Sequence, residues 1–191
     1  MSDEDDRRTI ESLLFALKHA ADVLRGADVP VVLAGGLAVY ARGGKPSEHD
    51  VDFLLREEDA ERALEAFDAA GYRTERPPEG WLVKAYVDDV LVDLIHHPVE
   101  RPVTDETFAD ADVLPVGPIS LPVLSGTQLL IHWLYRLNAQ WCNMTPALAL
   151  TRSIREQIEI ETVREQTKGS PYARAFLSLA EELELIGPTH G

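Results

Sequence analysis

The spacing of apolar residues predicts an N-terminal helix followed by a strand and a second helix. Between residues 7 and 25, apolar side chains recur every three or four positions, which is typical of an amphipathic helix. The apolar run 30–34 predicts a short strand that stops at Gly35 and Gly36, and residues 37–42 are predicted to be helical. The local pattern is therefore a strand, a glycine turn and a helix.

The middle of the chain alternates between strand and helix patterns. Residues 50–55 predict a strand with acidic side chains at alternate positions, and residues 57–70 predict a charged amphipathic helix. Residues 81–97 predict a hairpin that turns at Asp88 and Asp89. A mixed sheet with flanking helices follows from this order.

The last third of the chain is predicted to be mainly helical. Residues 98–118 are rich in Pro and Asp and are predicted to be irregular, with a helical turn near 105–109, before a short strand at 119–123. Three helices are then predicted, at 126–139, 146–166 and 171–185. The Trp133, Tyr135 and Trp141 side chains are interpreted as part of a helix core rather than as a stacking platform.

Composition indicates a globular protein. The chain has 191 residues, of which 45% are hydrophobic and 27% charged, values too apolar for a disordered chain. Cys142 is the single cysteine, which excludes an internal disulfide. No run approaches the roughly 18 apolar residues of a membrane helix, and the first residues are acidic where a signal peptide is basic. We therefore expect a cytoplasmic protein without a membrane partner.

The charge is strongly negative and unevenly distributed. The formal net charge is −15; residues 1–122 contain 26 acidic and 12 basic side chains, whereas the remainder contains 7 and 6. Because phosphate backbones attract Lys and Arg, unaided binding to long nucleic acid is disfavoured. A site for metal cations gains from the same acidity.

Two carboxylates in the 50–55 strand are the first candidates for chemistry. Asp50 and Asp52 are two positions apart, so both leave the same face of a strand, about 7 Å apart at Cα. Two ionised acids on one face repel each other unless a cation or a proton intervenes, and Mg²⁺ prefers such oxygen ligands. The alternative is an edge strand whose acidic side chains are exposed to solvent. The apolar residues between and after the two aspartates favour a central strand instead.

The glycine pair upstream is a second candidate. Gly35 and Gly36 stand between a predicted strand and a predicted helix, where backbone N–H groups without a neighbouring Cβ suit a phosphate. The alternative is an ordinary tight turn.

Together these residues resemble a known signature. The string Ala34-Gly35-Gly36, thirteen further residues and Asp50-Val51-Asp52-Phe53 resembles that of nucleotidyltransferases of the DNA polymerase beta superfamily, and most of all the small bacterial AbiEii-like and minimal nucleotidyltransferase types. Ser47 stands three residues before the first aspartate, where these proteins often have Ser or Thr. The resemblance implies an α/β (α+β) nucleotidyltransferase fold with a mixed sheet and flanking helices. It also implies a catalytic domain over 1–123 and a helical region, 124–191, packed on it.

The same resemblance implies roles for further residues. A third carboxylate is expected on a later strand, and Asp93 lies in an apolar strand at a suitable place; the alternative is a buried acid with satisfied hydrogen bonds. Asp50, Asp52 and Asp93 would then hold two Mg²⁺ ions and act in catalysis, while the nucleotide would bind through Gly35, Gly36, Ser47 and Lys84. Arg42 and Lys45 are further candidates for phosphate contacts, and His49 for contact with the carboxylates, although each suits an ordinary loop or solvated side chain.

The implied activity is a metal-dependent transfer of a nucleoside monophosphate. The donor is a nucleoside triphosphate, with ATP expected, the acceptor is a hydroxyl of a small molecule or a protein, and pyrophosphate leaves. The alternative is a catalytically inactive binding module, such as a toxin–antitoxin partner, but the presence of all three acids favours the enzyme. A homodimer or a partner protein is left open. The adjacent His96 and His97 are interpreted as structural or solvent-facing, because neighbours on a strand point to opposite faces.

Overall fold

The computed structural model describes residues 3–45 and 50–187, which divide into two compact units. The first unit contains residues 3–41, 45 and 50–124, and the second contains 42–44 and 125–187. None of the helices in these residues is long and apolar enough to cross a membrane.

The first unit is a seven-stranded sheet with four helices. Its strands are β1 (Val32–Ala34), β2 (Asp50–Leu54), β3 (Arg73–Glu75), β4 (Leu82–Val87), β5 (Val90–Ile95), β6 (Asp112–Val116) and β7 (Ile119–Val123). Its helices are α1 (Asp3–Gly26), α2 (Gly35–Ala41), α3 (Ala60–Ala69) and α4 (Asp105–Ala109). The strand order is β3-β4-β5-β2-β1-β7-β6, so β2 is central, as the sequence predicts.

The sheet is mixed, and its two central pairings differ in direction. Strand β2 is parallel to β5 and antiparallel to β1, while β1 is parallel to β7. The predicted α/β fold with a mixed sheet is confirmed. Parallel neighbours in a sheet end at the same edge, so the residues after β2 and after β5 come close together.

One face of the central strands belongs to the hydrophobic core. Val51 pairs with Val92 and Phe53 pairs with Leu94, and all four side chains are fully buried. Helix α1 packs against these strands, and α3 packs against the neighbouring β4. Burying each such side chain contributes roughly 1.5–3 kcal/mol, which fixes the register, because a slip of one residue would turn the intervening acids into the core.

The second unit is helical: α5 (Gly126–Arg136), α6 (Thr145–Ile154), α7 (Ile160–Thr167) and α8 (Pro171–Glu182). Helix α5 contacts the other three. Leu130 and Leu134 of α5, Val163 of α7 and Phe176 of α8 are fully buried and form its core.

The single helix predicted over 146–166 is wrong. Helix α6 ends at Ile154, a 3₁₀ turn follows at Arg155–Gln157, and α7 starts at Ile160. The backbone N–H of Glu159 donates to the Thr127 hydroxyl of α5 at 2.9 Å, and a Cβ on Gly126 would lie 2.8 Å from the Gln157 carbonyl oxygen. The chain therefore leaves the helix to pack closely on α5, a contact that apolar periodicity does not encode.

Two edge strands were not predicted. Strand β6 lies in a segment predicted to be irregular, and β3 is only three residues long. Pro115 lies within β6. Proline has no backbone N–H to donate, and it is tolerated there because β6 is at the edge of the sheet and pairs on one side only.

The predicted hairpin is present as β4 and β5. Its turn residues, Asp88 (φ 46°) and Asp89 (φ 66°), both have left-handed backbone conformations, as a two-residue type I′ turn requires.

Replacing Asp89 with glycine is expected to stabilise the protein by about 0.5 kcal/mol, because glycine adopts positive φ without the penalty that a Cβ incurs. Urea unfolding measures this. The matched control is Asp110→Gly, an exposed site with φ −80°, where the same change should destabilise by about 0.5 kcal/mol. Equal effects at the two sites would contradict the assignment of the turn.

Candidate active site

Four residues on four adjacent strands lie side by side across the centre of the sheet. Asp52 of β2 pairs with Asp93 of β5 on one side and with Ala34 of β1 on the other, and Asp93 pairs with Lys84 of β4. The next residue after Ala34 is Gly35, the start of α2. The register of four strands thus gathers residues that are far apart in sequence.

The structure brings the three predicted acids together. One carboxylate oxygen from each of Asp50, Asp52 and Asp93 lies within 4.8 Å of those of the other two, and all three residues are half-buried. This is the separation at which carboxylates can share a cation. The roles assigned to them by the sequence remain predictions.

Asp93 is a half-buried acid whose carboxylate is incompletely satisfied. Its side chain is 14% exposed, and among the described residues its Oδ1 has no hydrogen-bond partner. The Lys84 Nζ lies 3.9 Å from that oxygen, too far for a hydrogen bond but close enough for electrostatic attraction.

The electrostatics of Asp93 reflect these surroundings. Burial raises the pKa of the Asp93 carboxyl above its usual value, the Lys84 ammonium opposes this rise, and the Asp50 charge adds to it. These surroundings disfavour a bare ionised carboxylate at Asp93. They favour either protonation of the carboxyl or the binding of a cation beside it.

Gly35 is required by its neighbour Asp52. Its φ is +59°, and a Cβ there would lie 1.7 Å from the Asp52 Oδ2. The glycine therefore allows β1 to pass straight into α2 beside the carboxylate. The predicted glycine turn differs in this respect, because Gly35 and Gly36 form the first turn of α2 itself.

The structure places the other candidate residues in different parts of the chain, and their binding roles remain predictions. Lys84 lies beside Asp93, as described. Ser47 and His49 lie outside the described residues. Arg42 is in the second unit, where its guanidinium donates to the Gln157 side chain at 3.1 Å, and Lys45 is exposed.

These residues fit divalent metal ions. Three carboxylates supply the hard oxygen ligands that Mg²⁺ prefers, and the unpartnered Asp93 oxygen is the kind of buried atom that a cation satisfies. Asp50, Asp52 and Asp93 are the side chains that would hold such ions.

The interpretation of His96 and His97 as residues pointing to opposite faces is wrong. Strand β5 ends at Ile95, and the backbone N–H groups of both histidines donate to the same acceptor, the Trp81 carbonyl oxygen, at 3.1 Å. The two rings consequently turn toward each other, with their Nδ1 atoms 2.9 Å apart. The alternation rule fails because both residues lie beyond the strand.

The expectation of a helix core for the aromatic residues of the second unit is also wrong in part. Trp133 and Trp141 stack with ring centroids 5.9 Å apart, and the Arg136 guanidinium lies 4.7 Å from the Trp133 ring centre. Trp141 is 36% exposed, so this is a surface cluster; the leucines of α5 form the core instead.

Replacing Gly35 with alanine is expected to lower the free energy of unfolding by at least about 3 kcal/mol, because the Cβ must displace Asp52 as well as adopt positive φ. The control is Gly71→Ala, where φ is +82° but a Cβ meets nothing within 4 Å, so only the backbone penalty of about 1 kcal/mol applies. Urea unfolding of both variants measures the difference, and equal losses would contradict the close approach of Asp52 to Gly35.

Comparisons with known proteins place this geometry in a family. A family described as uncharacterised nucleotidyltransferase matches residues 4–188, nearly the whole chain. A search of curated protein sequences finds no match.

Solved structures show the same fold. The antibiotic-resistance factor ANT(2'')-Ia in solution has a TM-score of 0.63 and 15% identity, covering 91% of this chain and 96% of its own. Its crystal structure with adenylyl-2''-tobramycin has a TM-score of 0.61 and 16% identity, covering 88% and 98%. The lincosamide antibiotic adenylyltransferase LnuA, with lincomycin bound, has a TM-score of 0.50 and 12% identity, covering 78% and 94%.

At these identities the structural similarities establish the fold, and the family match establishes the kind of protein. Both agree with the resemblance to polymerase-beta-type nucleotidyltransferases that the Gly-Gly and Asp-x-Asp pattern indicates. The chain belongs to the uncharacterised nucleotidyltransferase family.

Proposed function

We propose that this nucleotidyltransferase moves a nucleoside monophosphate, with ATP as the favoured donor, to a hydroxyl of a small cationic acceptor in a reaction that requires Mg²⁺. The observation that carries the proposal is the cluster of Asp50, Asp52 and Asp93 on a half-buried face of the sheet, directly beside Gly35.

The requirement for metal follows from the charges of the site. Three carboxylates and a triphosphate repel each other strongly in half-buried surroundings. Held by Asp50, Asp52 and Asp93, divalent ions would neutralise the negative charge that develops on the phosphoryl group.

The reaction needs a base for the acceptor hydroxyl. Asp93 is suited to this, since burial raises the pKa of its carboxyl and its Oδ1 has no hydrogen-bond partner among the described side chains. The acceptor oxygen forms a bond to the α-phosphorus, the bond from that phosphorus to the pyrophosphate oxygen breaks, and the hydroxyl proton passes to Asp93.

Four further residues are proposed to bind the nucleotide. The backbone at Gly35 and Gly36 has no Cβ to keep a phosphate away. Lys84 places a positive charge 3.9 Å from the Asp93 carboxylate and suits a phosphate oxygen. Ser47, which precedes β2, is proposed as a hydroxyl donor on the basis of the sequence signature alone.

The acceptor is proposed from charge. With 26 acidic and 12 basic side chains in residues 1–122, the catalytic region attracts cations and repels long nucleic acids. Tobramycin, which is adenylylated in the ANT(2'')-Ia complex, and lincomycin, which is bound by LnuA, are small-molecule ligands of proteins with this fold. A small amine-bearing molecule is therefore the first acceptor to test, and a protein with a basic face is the second.

Calorimetric titration of the four nucleoside triphosphates, with and without Mg²⁺, tests the proposal. We expect binding that depends on Mg²⁺ and is weakened at least about thirtyfold in Asp52→Asn, because one ligand charge is lost. The control Asp110→Asn removes an exposed acid and should bind as the wild type does.

Asp93→Asn should retain measurable nucleotide binding but lose at least about a thousandfold in transfer to an accepted substrate, because the base is absent.

If no nucleotide binds to the folded protein at millimolar concentration, the proposed activity of the isolated chain is wrong. The catalytically inactive binding module then becomes the better account. Equal binding with and without Mg²⁺ would instead contradict the metal requirement.

A further inference from the structure

A second group of metal-ligating side chains lies away from the carboxylates. Glu57 follows β2, and His96 and His97 follow β5, so the parallel pairing of these strands brings all three to one edge of the sheet. One ligand atom from each lies within 4.8 Å of those of the other two. His96 is three residues beyond Asp93, which is about 10 Å along a strand, so the group is separate from the proposed active site.

The backbone holds this group in place. Trp81 accepts hydrogen bonds from the N–H groups of both His96 and His97, and the N–H of Val103 donates to the His96 carbonyl oxygen at 3.0 Å. On the other strand, the Leu55 N–H donates to the Ile95 carbonyl oxygen at 3.1 Å. The ends of β2 and β5 are thus tied together just before the three side chains.

The side chains themselves are incompletely paired. The Nδ1 atoms of His96 and His97 are 2.9 Å apart, and a single proton between them satisfies that contact. The His97 Nε2 lies 3.8 Å from the nearer Glu57 carboxylate oxygen, beyond hydrogen-bond distance. Two nitrogens bound to one tetrahedral zinc ion are about 3.3 Å apart, so a shift of a few tenths of an ångström converts the histidine pair into a pair of ligands.

We propose that Glu57, His96 and His97 form a binding site for a borderline divalent cation of the zinc class, with a water molecule in the fourth position. Two imidazoles and one carboxylate are a ligand set that zinc accepts, whereas Mg²⁺ prefers the all-oxygen cluster of aspartates. His96 is 6% exposed and is fixed by the backbone hydrogen bonds around it, so its imidazole is held in place for a metal ion. The site clamps the strand ends that follow Asp52 and Asp93 and stabilises the sheet there.

Calorimetric titration of the untagged full chain with Zn²⁺ tests this site, and absorption of the Co²⁺ form reports its coordination. We expect one equivalent to bind with the visible bands of tetrahedral cobalt. Glu57→Gln and His97→Gln should each weaken binding at least about tenfold. Because the Glu57 side chain is 69% exposed, its replacement leaves the folded core undisturbed, which circular dichroism verifies.

Three controls separate this site from other zinc ligands. Glu58→Gln changes the exposed neighbour of Glu57, Cys142→Ser removes the exposed thiol, and Asp93→Asn disrupts the aspartate cluster. All three should bind zinc as the wild type does. Loss of zinc binding in Asp93→Asn with retention in His97→Gln, or no saturable binding by the wild type, would overturn the proposal.

Discussion

The placement of ionisable groups in this structure depends on the parallel register of β2 and β5. It sets Asp52 directly beside Asp93 and buries Val51, Phe53, Val92 and Leu94 on the opposite face. Bringing carboxylates together in half-buried surroundings is unfavourable, and the packing of the apolar side of the sheet holds them there. The cation-attracting cluster therefore lowers the free energy of unfolding, as expected at a functional site rather than in a structural core.

The same register explains the two groups of polar side chains at different heights along the strands. Midway along β2 and β5, this register brings the aspartates together, with Lys84 beside them. Gly35 leaves room for the Asp52 carboxylate. Beyond the strand ends it gathers Glu57 with the two histidines. One group offers only oxygen ligands and the other mainly nitrogen, so the two are suited to different cations.

Much of the candidate site could be predicted because its signals are local. The alternation of acids and apolar residues in β2 identifies a central strand, and two aspartates between strand patterns identify the hairpin. The fold class and the family are also confirmed. Asp93 could be proposed because the resemblance implies a third carboxylate on a later strand, and Asp93 is an acid embedded in an apolar strand.

The features that could not be predicted depend on contacts between residues that are distant in sequence. The break between α6 and α7 requires Thr127, some thirty residues upstream, and the meeting of Glu57 with His97 requires the pairing of two strands. The orientation of His96 and His97 was misjudged because the strand ends at Ile95, before both residues, so the alternation rule does not apply to them. The stack of half-buried Trp133 on exposed Trp141 shows that aromatic residues near a helix need not belong to its core.

The most direct test of the central claim is a crystal structure with Mn²⁺ and an ATP analogue that resists transfer, recorded with anomalous scattering. The account predicts manganese peaks between the carboxylates of Asp50, Asp52 and Asp93, with the triphosphate running toward Gly35. A nucleotide bound elsewhere, or manganese absent from the three aspartates while the nucleotide is present, would contradict it.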